Sequence, residues 1–231
     1  MWTRRSTFMN LPMAMDERSM GSIVGPARTA RVEQRGGRRA RYPQRMRVIA
    51  GEYRSRMLQA PRGDKTRPTS DRLRETLFNV LGPLVEGSRF VDLYAGSGAV
   101  GIEAISRGAD FVWFAESARP AVAAIRANLS ALKIAGGFAL EDRGVKKMLE
   151  ALLAKERAAE IVFLDPPYEE AEEYEETLKF LARHHAAVLA DGAVVVAEHA
   201  RKSGLEARYS VLERTRVLEQ GEAALSFYRV A

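Results

Sequence analysis

The sequence predicts an α/β fold in which a mostly parallel sheet of seven strands carries helices on both faces. Three observations predict it. Short apolar runs alternate with helical patterns from residue 89 to residue 198, and this alternation is typical of a parallel sheet. A glycine-rich loop follows the first of these runs, where a strand would pass into a helix. Two extended runs close the chain on either side of Gln220-Gly221, which predicts an antiparallel last strand.

The elements follow in chain order from residue 46. A small β-hairpin is predicted for 47–50 with 56–60, and a helix for 70–81. Ser70 is a favourable N-cap for that helix, and Leu73 and Leu77 begin its apolar face. The predicted parallel strands are 89–93, 110–115, 138–141, 160–164 and 193–198. The helices between them are 98–107, 119–132, 145–156 and 171–184, and the last two strands are 208–218 and 223–230.

The glycine-rich loop indicates a ligand site. Glycines let a ligand approach the backbone closely, and the helix that follows offers unpaired N–H groups. The spacing of Gly96, Gly98 and Gly101 also fits the G-x-G-x-x-G pattern of NAD-binding proteins, which is a weak signal alone. Asp92 would repel a pyrophosphate but can bind an ammonium group, and Glu116 ends the next strand, where ribose hydroxyls are usually held. These two acids fit a cofactor that has a ribose and an ammonium group but no phosphate, and S-adenosylmethionine is such a cofactor. The predicted cofactor-binding residues here are Asp92, Tyr94, Ala95, Gly96, Ser97, Gly98, Gly101 and Glu116.

A second motif, Asp165-Pro166-Pro167-Tyr168, directly follows the apolar run 161–164. It places a carboxylate, a rigid carbonyl and an aromatic face at the end of a buried strand, and such groups can hold a flat base with its amino group exposed. Asp165 and the carbonyl of Pro166 could accept both protons of an exocyclic amine while Tyr168 stacks on the ring. We therefore predict Asp165, Pro166, Pro167 and Tyr168 as catalytic residues. The alternative is a simple strand-ending turn, because Asp and Pro both favour turns.

These motifs resemble those of class I methyltransferases that act on exocyclic amines of nucleic-acid bases. The segment 46–51, followed by 67–79, is similar to the N-terminal signature of the bacterial family that methylates the N2 amine of one guanine in 16S rRNA. The resemblance runs from about residue 46 to the C-terminus. It implies a Rossmann-like fold, S-adenosylmethionine as cofactor, and 16S rRNA or the assembling 30S subunit as partner. It also suggests that Asp142 accepts from the adenine amine of the cofactor, although a helix-capping role is equally compatible with its position.

Basic charge is concentrated at the N-terminal end of the chain. Residues 1–45 hold ten arginines and three acidic residues, and residues 46–75 hold eight basic and four acidic residues. Such a cluster attracts a phosphate backbone, although a solvated face with incidental arginines is the alternative. The predicted RNA-binding residues are Arg47, Arg54, Arg56, Arg67 and Arg72, with Arg74 in the same cluster.

Three regions are expected. Residues 1–45 have the composition of a disordered basic tail, which would be an RNA-binding arm, the product of a misassigned start codon or a transit peptide. Residues 46–69 form the RNA-contacting hairpin extension, and residues 70–231 form the methyltransferase domain. The acidic run 169–176 is favourable at the start of a helix, where it meets the positive end of the helix dipole.

Composition excludes several other classes of protein. The chain has no cysteine, so disulfides, thiolate nucleophiles and cysteine-based metal sites are absent. The three histidines lack a metal-ligand spacing, and no metal is expected. No apolar run approaches the roughly 20 residues of a membrane helix. We expect a cytoplasmic monomer. A DNA adenine-N6 or cytosine-N4 methyltransferase uses similar chemistry but would usually need a larger recognition region, and a non-catalytic RNA-binding protein on the same fold would be expected to have lost a motif.

Overall fold

The computed structural model describes residues 46–61, 70–155, 157–167 and 170–231. The tail 1–45 and the predicted site residues Arg67 and Tyr168 lie outside the described residues. Ten strands are described: β1 Met46–Arg47, β2 Met57–Leu58, β3 Arg89–Leu93, β4 Phe111–Ala115, β5 Phe138–Glu141, β6 Ala159–Leu164, β7 Leu189–Ala200, β8 Arg208–Tyr209, β9 Leu212–Gln220 and β10 Ala223–Val230. The helices are α1 Asp71–Leu81, α2 Ala99–Ser106, α3 Arg119–Ala131, α4 Val145–Ala154, α5 Ala171–Arg183 and α6 His185–Val188, with a 3-10 turn at Gly82–Leu84.

The main sheet confirms the predicted α/β architecture. Its eight strands lie in the order β5-β4-β3-β6-β7-β10-β9-β8. The first five are parallel, and β10, β9 and β8 are each antiparallel to the strand before them in this order. Seven strands are predicted here, because the extended pattern of 208–218 predicts a single strand. The structure breaks that run into β8 and β9 at Ser210, whose φ of 55° is left-handed.

Two apolar layers cover the sheet. On one face, Leu77 of α1, Ile102 of α2 and Ile125 of α3 pack with Phe90 and Phe163 of the central strands. On the other face, side chains of α4, α5 and α6 pack against Val91, Val162 and Val195. Because successive strand residues point to opposite faces, each central strand contributes alternate residues to the two layers. The central strands are therefore mostly apolar, as expected for a sheet buried on both faces, and Asp92 is the buried charged residue of β3.

The N-terminal hairpin, which consists of β1, β2 and their connection, is shorter than predicted. Met46 pairs with Leu58 and Arg47 with Met57. The predicted strand residues Ile49 and Ala50 instead donate their backbone N–H groups to the Glu103 carboxylate of α2, at 2.7 and 3.0 Å. A long-range side chain therefore replaces the strand partner at these positions.

Within the described residues, no helix combines the length and the apolar composition needed to cross a membrane.

Candidate active site

The predicted site residues meet at the carboxyl edge of the parallel strands. The strand register aligns Glu141, Ala115, Leu93, Leu164 and Ala197 in one row across β5, β4, β3, β6 and β7. The residues that follow this row in the five strands are Asp142, Glu116, Tyr94, Asp165 and Glu198. Four of these five were predicted from the sequence. The structure therefore brings the glycine-loop motif and the Asp165 motif to one edge, where ligands of open α/β sheets bind.

The glycine loop runs from the end of β3 to the start of α2. Gly96 and Gly98 have φ values of 55° and 76°, in the left-handed region that favours glycine. A Cβ at Gly96 would meet no atom within 4 Å, so the backbone there is open to a ligand. A Cβ at Gly101 would lie 2.2 Å from Cε1 of Phe114, so this glycine lets α2 pack closely on β4. The glycines thus have two different uses, ligand approach at Gly96 and helix packing at Gly101.

Asp92 lies beneath the loop rather than on its surface. It is 1% exposed, and its Oδ2 accepts from the backbone N–H of Gly101 at 2.8 Å. Burial raises the pKa of Asp92 to about 8, with a smaller contribution from the charge of Glu116, while the Gly101 hydrogen bond acts in the opposite direction. The carboxyl group therefore anchors the first turn of α2, and it can gain a negative charge when a cation approaches.

Glu116 joins the loop to the next βα connection. Its Oε2 accepts from the N–H of Gly96 at 2.8 Å, and its Oε1 accepts from the N–H groups of Ser117 and Ala118, both at 2.8 Å. The carboxylate is half-buried, so it stays within reach of a polar ligand. Because Oε2 has a single backbone donor, it retains a lone pair that a ribose hydroxyl could use.

Tyr94 turns away from the loop toward the opposite helical layer. Its φ is 60°, and its hydroxyl donates to Oε2 of Glu173 at 2.6 Å and lies 3.0 Å from Oγ1 of Thr177, both in α5. Burial and the Glu173 carboxylate raise the pKa of the Tyr94 phenol. One acid of the run 169–176 therefore has a specific partner in addition to its place in the first turn of α5.

Ala95 and Ser97 form the wall of the loop. The N–H of Ala95 donates to the carbonyl of Ala115 at 3.0 Å, and the carbonyl of Ala95 accepts from Gly98 at 2.7 Å. Ser97 is buried, and its carbonyl accepts from Nδ2 of Asn128 at 3.0 Å. These bonds fix the curvature of the loop.

Asp142 lies at the outer end of the row. It is exposed, and its Oδ2 accepts from the Arg126 guanidinium of α3 at 2.9 Å. The predicted contact with an adenine amine stays a prediction, since Asp142 has another partner in this structure.

The Asp165 motif follows β6 directly. Asp165 is half-buried, Pro166 is buried and Pro167 is exposed. The carbonyl of Pro166 lies 3.2 Å from the hydroxyl of Tyr174 in α5, and the same hydroxyl lies 2.9 Å from the carbonyl of Glu198. A hydroxyl has one proton, so the nearer carbonyl of Glu198 is the main acceptor, and the Pro166 oxygen keeps acceptor capacity for a ligand.

The predicted RNA-binding arginines are mostly on the surface. Arg47, Arg54, Arg56 and Arg72 are exposed. Arg74 differs, because its side chain is fully buried and donates through Nη2 to the carbonyl of Arg47 and to Asp71. The expectation that Arg74 belongs to the surface cluster is therefore wrong. Its guanidinium instead forms ion pairs with Asp71 and Glu103.

Two buried polar residues attach the N-terminal hairpin to the rest of the fold. Glu103, 0% exposed, accepts from Ile49, Ala50 and the Arg107 guanidinium. Asn128 pairs with the backbone of Gln59 through Oδ1 at 2.7 Å and Nδ2 at 3.0 Å. Because Asn128 also holds the Ser97 carbonyl, the hairpin and the glycine loop share one anchor. Sequence reasoning missed both residues, since nothing in their spacing marks long-range contacts.

Glu198 and Tyr174 were also missed. Glu198 was visible as the last residue of the predicted strand 193–198, and the carboxyl end of a parallel strand is where site residues occur. Tyr174 lies inside the acidic run, where the sequence gives no sign that its hydroxyl reaches the site.

The fold and this edge of the sheet define an S-adenosylmethionine-dependent methyltransferase of class I. The described residues fit the cofactor: the glycine loop is open at Gly96, and the carboxyl groups of Asp92 and Glu116 accept from the backbone N–H groups of Gly101 and Gly96. When bound, the cofactor supplies an electrophilic methyl group.

Comparison with known proteins gives the family. Residues 46–229 match the family model described as Conserved hypothetical protein 95, and the chain belongs to this family. The chain is 34% identical over 184 residues to the candidate rRNA methyltransferase YlbH of Bacillus subtilis, covering 80% of this chain and 98% of YlbH. It is 36% identical over 160 residues to ribosomal RNA small subunit methyltransferase D of Escherichia coli K12, covering 69% of this chain and 77% of that protein. The solved structure of the candidate methyltransferase yhhF from E. coli superposes with a TM-score of 0.70 at 34% identity, covering 80% and 98% of the two chains.

Proposed function

We propose that this protein transfers a methyl group from S-adenosylmethionine to the exocyclic N2 amine of a guanine in small-subunit rRNA. The observation that carries the proposal is the position of Asp165 and the Pro166 carbonyl beside the glycine loop, on the same edge of the sheet. Two acceptors next to a methyl-donor site suit an amine, because an amine has two protons to donate. The names of two relatives, which refer to rRNA, support RNA as the substrate.

The proposed roles follow from the chemistry of an aromatic amine. Its lone pair is delocalised into the ring, so the nitrogen is a weak nucleophile. Hydrogen bonds from the amine to Asp165 and to the Pro166 carbonyl favour a pyramidal nitrogen and stabilise the positive charge that develops on it. Asp165 need not be a strong base, because the proton can leave after the methyl group has moved. Tyr168 is proposed to stack on the base. Holding the amine in line with the methyl group supplies further acceleration through proximity.

The substrate is proposed to be 16S rRNA, either free or in an assembling 30S subunit, and the enzyme a monomer. Arg47, Arg54 and Arg56 are exposed on the hairpin and Arg72 on α1, so they are available to phosphates. The target guanine has to leave its stack to reach Asp165, which costs least in a loop of RNA.

The test is tritium transfer from labelled S-adenosylmethionine to small ribosomal subunits, followed by digestion to nucleosides. We expect label in N2-methylguanosine and none in duplex DNA. Asp165→Ala should lower turnover by about 100-fold or more, because it removes one of the two acceptors that stabilise the developing charge, while S-adenosylhomocysteine still raises the melting temperature. The matched control is Asp191→Ala, an exposed aspartate near the opposite end of β7, which should keep full activity. An active Asp165→Ala enzyme, or label in an adenine or cytosine, would refute the proposal.

A further inference from the structure

Guanine offers one donor more than the proposed site accounts for. Asp165 and the Pro166 carbonyl accept the two protons of the N2 amine, but the same edge of the base carries a proton on N1. A donor that is buried without an acceptor carries a desolvation penalty. A site that holds guanine therefore needs a third acceptor atom within reach of N1.

Glu198 lies in the position that such an acceptor requires. β6 and β7 are parallel and pair Leu164 with Ala197, so Asp165 and Glu198 are the next residues on the two adjacent strands. Neighbouring strands lie about 4.8 Å apart, so the two side chains start from adjacent backbones and can reach the same edge of one base. The sequence places Glu198 at a strand end, and the structure makes it the neighbour of Asp165.

Strand alternation also places the Glu198 side chain on the same face of the sheet as the other acidic groups of the site. Val194 and Val196 of β7 belong to the apolar layer formed with α1, α2 and α3, and Glu198 continues their alternation. Asp92 of β3 follows the same rule, Glu116 contacts the glycine loop on that side, and Asp165 continues the alternation of Ile161 and Phe163 one residue past β6. Glu198 is 4% exposed, so a polar group of a ligand that reached its carboxyl group would be shielded from water.

A hydroxyl group joins the backbone of β7 at Glu198 to the loop that carries Asp165. The hydroxyl of Tyr174 lies 2.9 Å from the carbonyl of Glu198 and 3.2 Å from the carbonyl of Pro166. Tyr174 is itself 3% exposed and held in α5. The backbone of β7 at Glu198, which also pairs with β10, is therefore tied to the loop that carries Asp165.

We propose that Glu198 accepts the N1 proton of the target base and thereby selects guanine. Guanine presents an N1 donor and an N2 amine donor on the same edge, whereas adenine presents an N1 acceptor, whose lone pair a carboxylate would repel. This inference rests on the proposed function and names the residue that reads the base. It involves hydrogen bonds alone, and Glu198 takes no part in the methyl transfer itself.

The test compares guanine with 2-aminopurine at the modified position of the RNA in reconstituted small subunits. 2-Aminopurine keeps the N2 amine but has an N1 acceptor in place of the N1 proton. The wild-type enzyme should methylate guanine about 10- to 100-fold more efficiently in kcat/KM, the range expected for a hydrogen bond to a charged group. Glu198→Gln should reduce this preference by at least about tenfold, because a glutamine amide can donate to the N1 acceptor.

Three outcomes separate the possibilities. Equal losses on both bases in Glu198→Gln would assign Glu198 to structure alone and overturn the inference. Glu198→Ala provides a second route if the glutamine variant folds poorly: it should lower kcat/KM for guanine and leave 2-aminopurine almost unchanged, and an equal loss on both bases would again overturn the inference. Glu160→Gln, a carboxylate at the opposite end of β6, is the control and should keep the wild-type preference. A wild-type enzyme that makes no N2-methylguanosine would refute the proposed function instead.

Discussion

Replacing the buried Glu103 with alanine should lower the free energy of unfolding more than the same replacement of a surface glutamate. Glu103 is 0% exposed and compensates two arginines, Arg107 at 2.8 Å and Arg74 at 3.9 Å. Arg74 is also fully buried, and within the described residues its Nε and Nη1 have no hydrogen-bond partner. Burial is the main cause that lowers the pKa of the Arg74 guanidinium, and the charges of Asp71 and Glu103 oppose this effect. Without Glu103, the acid that still pairs with Arg74 among the described residues is the half-exposed Asp71.

The expected loss follows from these contacts. Removing one partner of a buried ion pair costs about 3–5 kcal/mol, because an uncompensated charge stays buried. The backbone N–H groups of Ile49 and Ala50 lose their acceptor as well, although both residues are half-buried and can bind water instead. We therefore expect Glu103→Ala to lower the free energy of unfolding by about 3–5 kcal/mol. The matched control is Glu160→Ala, whose partner Arg89 is 41% exposed, and which should cost about 1 kcal/mol or less.

Urea denaturation of the two variants measures this difference, and native-state hydrogen exchange locates it. In Glu103→Ala the amides of Ile49 and Ala50 should exchange much faster than in the wild type, while amides in the centre of β3 lose protection in proportion to the global stability alone. Because the hairpin carries Arg47, Arg54 and Arg56, methylation of RNA should fall more than S-adenosylhomocysteine affinity does. A Glu103→Ala protein within about 1 kcal/mol of the wild type would refute the view that this buried carboxylate holds the hairpin.

Three further predictions concern the site. Gly101→Ala should destabilise the protein by about 1–3 kcal/mol and weaken cofactor binding, because its Cβ would lie 2.2 Å from Phe114. The control Gly136→Ala, whose Cβ would meet no atom within 4 Å, should leave the melting temperature unchanged. Since burial raises the pKa of Asp92 to about 8, a carboxylate that pairs with the cofactor's ammonium has to lose a proton on binding. Calorimetric affinity for S-adenosylhomocysteine should then rise from pH 6 to 7.5, by up to about tenfold per pH unit; Asp92→Asn should abolish this slope, and a flat wild-type profile would exclude the pairing. Tyr174→Phe should lower kcat about tenfold or more and leave cofactor affinity unchanged. Its control is Tyr228→Phe, which removes a similar 2.9 Å hydrogen bond, to the carbonyl of Glu206. Both variants should lose about 1 kcal/mol of stability, but Tyr228→Phe should keep the wild-type kcat.

The alternating core was predictable because its signal is local. Each parallel strand is a short apolar run, and each helix has its own apolar face, so neither depends on knowing its partner. β7 is the parallel strand whose length differs most from the prediction, since it covers Leu189–Ala200 and the sequence predicts 193–198. The exposed residues Asp191 and Gly192 interrupt its apolar pattern, and pairing with β6 and β10 keeps the extended conformation through and beyond the predicted limits.

Arg74 shows why part of the site support was not predictable. It lies beside Leu73 in α1. A charged residue is predicted to be on the surface unless a partner for its charge is known. Its burial depends on Glu103, 29 residues further along the chain, and on the carbonyl of Arg47. The same holds for Asn128, whose partners Gln59 and Ser97 lie in two separate segments. Such contacts are set by the tertiary fold and have no local pattern.

The two halves of the site are joined through α5. Glu173 and Thr177 hold the hydroxyl of Tyr94 in the glycine loop, while Tyr174, the neighbour of Glu173, contacts the carbonyl of Pro166. α5 itself starts just after the Asp165 motif, with the N–H of Glu170 donating to the carbonyl of Pro167 at 2.8 Å. One helix therefore touches both the loop that would hold the methyl donor and the loop that would hold the acceptor. Methyl transfer needs these groups aligned to within a few tenths of an ångström, and a single rigid helix fixes that distance better than two independent loops would.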